Sequence, residues 1–383
     1  MNIGFDAKRL YENSTGLGHY SRTLITSLAK TFPENNYFLF APKITDSFQS
    51  DIHQNIYPVA PTALLSRILK SAWRSKWMIK DLRKRNIEIY HGLSHEIPFG
   101  INKTKIKSVV TIHDLIFERY PEQFSNIDVK IYRKKFMYAC RYADKIIAIS
   151  KQTKNDIIDL YKIPAEKIEV CYQSCNDIFR QIISDEEKRR VKQIYNLPEE
   201  FFLYVGSVIE RKNLLTIVKA MHQLKGKLDI PLVVIGNGKK YKTEVKDFLK
   251  KNNLQNKVVF LSEKTDINSL PGFTSSADFP AIYQQAVAMI YPSVFEGFGI
   301  PVLEALCSGL PVITSNVSSL PEAGGDAAYY VNPHSPEEIA GAMQNIYSDK
   351  LFAEIMIEKG FAHAQSFTQK KTAGAVMGVY KKI

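Results

Sequence analysis

The stretch YPSVFEGFGIPVLEALCSGLP, running from Tyr291 to Pro311, packs a strand end, a glycine turn and a helix into consecutive residues. The apolar residues 286–291 read as a strand. Gly297 and Gly299 open the turn, and Pro301 starts a helix at a position that needs no amide donor. Gly309 and Pro311 stop that helix and lead into the next strand. Amides at a helix start, beside glycines that let backbone approach closely, form a site for an anionic group such as a diphosphate. Glu296 stands just before the helix and Glu304 lies about a turn inside it. Two carboxylates at this E-x7-E spacing can accept hydrogen bonds from sugar hydroxyls on either side of a phosphate-binding turn.

Outward from this segment, short β-rich runs alternate with helical stretches along the whole chain. They cover residues 2–6, 37–41, 87–91, 108–113 and 145–150 in the first half. In the second half they cover 201–206, 232–236, 258–261, 286–291, 312–315 and 328–331. Several are continuous apolar runs, as in strands covered on both faces. Helices between such strands imply parallel sheets joined by right-handed crossovers. The expected fold is therefore α/β: two Rossmann-like domains with parallel sheets facing a central cleft, a common place for a ligand. The expected domains are residues 1–180 and 181–365, with 366–383 a final helix crossing back to the first.

At 383 residues, two or three domains can each bury a core. Four cysteines are too few for a disulfide scaffold, no Cys/His spacing resembles a zinc site, and no window nears the roughly 20 apolar residues that span a bilayer. The N-terminus reads as a first strand rather than a secretory signal, so the expectation is a cytoplasmic protein. No Asp-x-Asp pair, P-loop, G-x-S-x-G or G-x-G-x-x-G fingerprint occurs. The net charge is +12, and residues 1–180 hold 28 Lys+Arg against 18 Asp+Glu. The densest basic stretch is 61–85, PTALLSRILKSAWRSKWMIKDLRKR. Its Leu65, Ile68, Leu69, Ala72, Trp73 and Trp77 recur at helical spacing. Such a helix can lie on an anionic membrane surface, or it can pack its aromatic side into the core under a solvated basic face. Nucleic acid is a third partner class for a basic chain, but no recognition motif supports it.

FEGFGIPVLEAL (295–306) resembles the E-x7-E signature of retaining GT-B glycosyltransferases of family 4. The resemblance extends through PVITSNVSSLPEAGGDAAYYVNP (311–333), VGSVIERKNL (205–214), VTIHDLIFERYPEQF (110–124) and STGLGHYSRTLI (14–25). A weaker match lies in SFTQKKTAGAVMGVY (366–380). It implies a GT-B fold whose first domain binds the acceptor and whose second binds a nucleotide-diphosphate sugar. Glu296 then faces the donor sugar and Glu304 the ribose, while Gly297, Phe298, Gly299 and Ile300 hold the phosphates. Lys212 matches the family lysine. Many relatives also carry an arginine where this chain has Ser207, so either Arg211 supplies a second charge or the site works with one fewer. Gly16 and Gly18 match the family's glycine loop near the donor, and His113 its active-site histidine.

Gly236 ends a second-half strand, where a glycine could admit the nucleotide base. His91, Ser94, His95 and Glu96, in HGLSHEIP, end a first-half strand as acceptor contacts or as a structural loop. Residues 263–279 read as a polar surface insertion. The resemblance implies metal-independent hexosyl transfer without a cofactor. Within the family, the TIHDLIFERYPEQF and ERKNL variants look most like mannosyltransferases of bacterial surface polysaccharide synthesis, with GDP-mannose as donor and a saccharide or lipid-linked saccharide as acceptor. A non-catalytic sugar-nucleotide-binding subunit, a nucleic-acid-binding protein and a sugar-nucleotide epimerase are the competing readings.

Overall fold

The computed structural model describes residues 1–13, 15–48 and 54–383. Ser14 of the glycine-loop motif lies outside the described residues. Seven strands form one parallel sheet: β1 (Asn2–Asp6), β2 (Asn36–Phe40), β3 (Ile56–Val59), β4 (Ile89–Gly92), β5 (Lys107–Ile112), β6 (Lys145–Ala148) and β7 (Ile168–Val170). Their order is β3-β2-β1-β4-β5-β6-β7. Six more form a second parallel sheet: β8 (Phe202–Val205), β9 (Leu232–Ile235), β10 (Val258–Phe260), β11 (Met289–Tyr291), β12 (Val312–Ser315) and β13 (Tyr329–Val331). Their order, β10-β9-β8-β11-β12-β13, repeats the doubly wound pattern of the first.

Successive residues of the central strands serve opposite faces. Val109 and Ile147 join the apolar layer built on Phe5, Leu24 and Tyr380, whereas Val110 and Ile146 join the layer built on Trp73, Tyr90 and Phe136. A sheet covered on both sides needs both residues of each pair to be apolar, which is why these strands read as unbroken hydrophobic runs. Strand β3, IYPV, was not legible as one. Pro58 removes an amide donor, and the strand is tolerated at the sheet edge, where a missing donor costs no ladder bond.

The chain divides into two compact units, residues 1–174 with 367–383 and residues 175–366. The boundary falls before the expected 180/181 because Phe179 meets Tyr283 edge-on and its carbonyl accepts a hydrogen bond from Ser308 Oγ at 3.2 Å. The final helix, Gln369–Tyr380, belongs to the first unit. Its Thr372 hydroxyl donates to the Tyr172 carbonyl at 3.0 Å, and Tyr380 Oη meets His91 Nδ1 at 2.6 Å.

The single basic amphipathic helix expected over 61–85 is corrected. A helix Leu64–Ile68 stops at Leu69, whose φ −92° and ψ 59° are not helical. The chain resumes over Lys70–Ala72, takes one π-helical turn at Trp73–Trp77 and continues as a helix over Met78–Lys84. Trp73 is fully buried, with Nε1 donating to Asp81 at 2.7 Å, so it does not share a face with the exposed leucines. Residues 263–279, expected as a polar surface insertion, are partly helical. They hold two short helical turns, and Asp278 accepts hydrogen bonds from Tyr195 at 2.7 Å and Arg190 at 2.6 Å. No helix among the described residues is long and apolar enough to cross a membrane.

Candidate active site

In the second unit, the adjacent strands β8 and β11 end side by side, and their following loops carry the charged groups. After β8 the chain turns through Gly206 (φ +147°) into a 3-10 turn at Glu210–Lys212. Asn213, in the left-handed region at φ 62°, locks this turn onto the β11 loop. Its side-chain amide donates to the carbonyls of Pro292 (3.1 Å) and Pro333 (2.6 Å). The Arg211 carbonyl in turn accepts from the Val294 amide at 2.9 Å.

This clamp brings Arg211 and Lys212 onto Glu296 from more than eighty residues away. Lys212 Nζ lies 2.9 Å from Oε1 and Arg211 Nη1 3.0 Å from Oε2, so each carboxylate oxygen has its own cation. Tyr291 Oη donates to Oε1 at 2.9 Å and also accepts from Lys212. The guanidinium of Arg211 also donates to the Phe295 carbonyl. Burial alone would raise the Glu296 carboxyl, but the two cations outweigh it and hold the group down at about 2. Burial lowers the Lys212 ammonium, with Arg211 adding to the effect and Glu296 opposing it. The arrangement is a desolvated carboxylate–cation triad in which positive charge exceeds negative by one.

The glycine turn after Glu296 is pinned from behind. Ser318 Oγ accepts from the Glu296 amide at 3.1 Å, and Ser319 Oγ lies 2.8 Å from both the Glu296 and Phe298 carbonyls. Gly299 has φ +123°, and a Cβ there would come within 3.0 Å of Leu320 and 3.2 Å of Ala323. Only glycine fits, and the turn delivers Gly297, Phe298 and Ile300 to the start of the helix Ile300–Cys307. Within that helix, Glu304 accepts a hydrogen bond from Tyr283 Oη at 3.0 Å. Burial raises its carboxyl to about 7, the tyrosine bond opposing only in part. The two glutamates thus sit in opposite electrostatic settings, one ionised throughout the neutral range and one poised within it.

Gly236 is a glycine that the fold itself requires. It has φ +153°, and a Cβ would lie 1.9 Å from the Gly206 carbonyl oxygen, so close approach by the protein's own backbone already excludes a side chain.

In the first unit, His113 follows β5. Its Nε2 lies 2.9 Å from the Leu93 carbonyl, which can only accept, so Nε2 carries the proton and Nδ1 keeps its lone pair. Burial pushes this imidazole down to about 4, so it is neutral at pH 7. Tyr20 meets it edge-on at 4.7 Å, and Thr153, itself held by the Ser150 cap, donates to its carbonyl at 3.1 Å. At the glycine loop, the Asn13 side chain accepts from the amides of Thr15 (2.8 Å) and Gly18 (3.2 Å). A Cβ on Gly18 would sit 1.9 Å from the Asn13 carbonyl oxygen. One on Gly16 would meet nothing within 4 Å, so Gly18 serves the loop's own packing and Gly16 leaves open backbone.

The four acceptor candidates separate. His91 is corrected: it is fully buried, and its ring nitrogens are taken by Tyr380 (2.6 Å) and Thr111 (2.8 Å). Its role is to tie the final helix to the first sheet. His95, at φ 65°, stacks on Phe136 with ring centroids 4.2 Å apart, and Ser94 is buried beside it. Glu96 belongs to an ion network. It pairs with Arg74 at 3.1 Å and Lys135 at 3.2 Å, and Arg74 Nε also reaches Asp6 at 3.1 Å.

Sequence reasoning missed Tyr291, Tyr283, Asn213, Ser318 and Ser319. The available signal was position: Tyr291 is the last residue of a parallel strand, where side chains enter a crevice, and Asn213 directly follows the cation pair. Among the described residues no group of three or more His, Cys, Asp or Glu side chains converges as metal ligands would.

Two family models divide the chain between them. Glycosyltransferase Family 4 matches residues 15–176 and Glycosyl transferases group 1 matches residues 185–363. The chain is 26% identical over 397 aligned residues to O-antigen chain mannosyltransferase B of Escherichia coli, covering 100% of both. It is 27% identical to O-antigen chain mannosyltransferase RfbU of Salmonella typhimurium, over 88% of this chain and 89% of that one. Among solved structures, the crystal structure of Anabaena Alr3699/HepE in complex with UDP superposes with a TM-score of 0.74 at 15% identity, covering 100% of each chain.

Proposed function

Because this chain belongs to family 4 of the GT-B glycosyltransferases, we propose that it transfers a mannosyl unit from GDP-mannose to a lipid-linked saccharide in surface polysaccharide synthesis, with retention of anomeric configuration. The observation that carries the reading is the Glu296 carboxylate held between Lys212 and Arg211 beside a glycine turn and a helix start. A departing nucleoside diphosphate gains negative charge as the glycosidic bond breaks. Fixed cations in a desolvated site stabilise that charge without reorganising. Similarity to two O-antigen mannosyltransferases, one over 100% of this chain and one over 88%, supports the sugar and the acceptor class, and a neighbour bound to UDP supports a nucleotide donor.

In this mechanism the acceptor hydroxyl attacks the anomeric carbon from the face the diphosphate leaves. The bond to the diphosphate oxygen breaks, the new glycosidic bond forms, and a phosphate oxygen takes the hydroxyl proton. Lys212, Arg211 and the turn at Gly297–Ile300 hold phosphate, with no metal required. Glu296 holds the sugar, and Glu304 accepts from the ribose. Neutral His113 offers Nδ1 to a sugar hydroxyl. A lipid-linked acceptor places the enzyme on the inner face of the cell membrane.

A thermal-shift panel of nucleotide-diphosphate sugars tests the donor. GDP-mannose is expected to give the largest shift, and the transfer product is expected to keep the α configuration by NMR. No shift with any member of the panel overturns the reading.

Glu304 adds a pH signature. With its folded pKa raised to about 7, its contribution to stability is present below the unfolded carboxyl value and is lost as pH rises through 7 and the buried group ionises. Ribose hydroxyls bind the ionised form better. Donor affinity is therefore expected to rise severalfold between pH 6 and 8 by calorimetry, and to flatten in Glu304→Gln.

A further inference from the structure

The helix Leu64–Ile68 has no buried residue. Leu64 is 73% exposed, Leu65 63%, Ile68 69% and Leu69 48%, four large aliphatic side chains within six consecutive residues left in water. Scattered single exposed leucines need no explanation, but a cluster such as this marks a surface that something covers. The chemistry of the cover follows from charge. From residue 52 to residue 80 the sequence contains no Asp or Glu. Arg67, Lys70, Lys76 and Lys80 are exposed, and none of them forms an ion pair among the described residues. A second copy of this chain would set cation against cation. An anionic lipid surface instead offers an apolar interior to the leucines and negative headgroups to the flanking cations.

The patch also has a rigid mount. Directly after the non-helical Leu69, Trp73 is buried and bonded to Asp81, and Arg74 is held by Asp6 and Glu96. The helix is too short to cross a bilayer, so its geometry is that of shallow insertion with the basic residues at headgroup level.

We propose that Leu64, Leu65, Ile68 and Leu69 insert into the interface of an anionic bilayer, with Arg67, Lys70, Lys76 and Lys80 on its headgroups. The inference deepens the lipid-linked-acceptor reading and rests on it for its purpose, but vesicle binding needs neither donor nor acceptor and is measured without them.

The full chain is sedimented with phosphatidylcholine vesicles, with or without 30% phosphatidylglycerol. Binding to the anionic vesicles is expected to be at least tenfold stronger. Leu65→Ser combined with Ile68→Ser is expected to cut it at least tenfold, with the melting temperature and transfer to a water-soluble saccharide unchanged, since neither side chain is in the core. Arg67→Glu with Lys70→Glu is expected to abolish the preference for anionic lipid. Equal binding of the serine variant and the parent chain overturns the proposal, as does failure of the parent chain to bind anionic vesicles. Light scattering that shows a dimer broken by the serine substitutions, or an acidic protein partner displaced by them, overturns it in favour of a protein interface. Vesicle binding by a chain that transfers no sugar refutes the lipid-linked-acceptor reading and leaves the insertion site standing.

Discussion

Lys212→Ala is expected to lower kcat/KM by about a hundredfold to a thousandfold in a transfer assay, the range for removing one preorganised charge-stabilising group from a desolvated site. Glu296 keeps Arg211 as a partner in this variant, so the fold survives. Glu296→Gln behaves differently. It leaves two cations facing a neutral amide in a site where Glu296 is only 12% exposed, and losing one partner from a buried ionic group costs about 3–5 kcal/mol. Turnover is expected to fall at least as far, and the melting temperature of the free enzyme to fall as well. A nucleoside diphosphate should restore part of that loss, because its phosphates replace the missing negative charge. Pairing Glu296→Gln with Lys212→Met should recover stability without recovering turnover. Near-normal transfer by Lys212→Ala removes the triad from the mechanism. The depressed Glu296 carboxyl also has an acid signature. Its stabilisation is present above the unfolded carboxyl value and is lost as pH falls toward 2.

Gly236→Ala is expected to unfold the second unit or to destabilise it by more than about 3 kcal/mol, since it combines a strained φ with a backbone clash. The clash is with a carbonyl oxygen 1.9 Å from the new carbon, and separating them means parting β8 from β9, whose pairing runs from Phe202 to Val205. Chemical denaturation followed by circular dichroism reads this directly. If glycine were present there only to admit a ligand, the alanine variant would fold normally and bind donor weakly. Gly16→Ala is the control, because a Cβ there meets nothing.

Much of the molecule was legible in the linear chain. Parallel strands buried on both faces leave unbroken apolar runs, and a glycine turn flanked by Glu296 and Pro301 announces its helix, because these signals are written within a few neighbouring residues. The same locality explains the errors. The leucine and tryptophan spacing over 61–85 obeys one helical period, but Leu69 leaves the helix once Trp73 and Arg74 find partners at Asp81 and Asp6. His91 looked like a contact residue until the final helix, 289 positions away, brought Tyr380 against its ring.

Residue type, order and spacing were thus sufficient for the two sheets, the glycine turn and the identity of the charged groups. Which oxygen of Glu296 each cation meets, why Glu304 titrates near neutrality while Glu296 does not, and which leucines stay in water all required the folded chain. Hydrogen bonding and desolvation act between atoms brought close by packing, over sequence separations that no local pattern encodes.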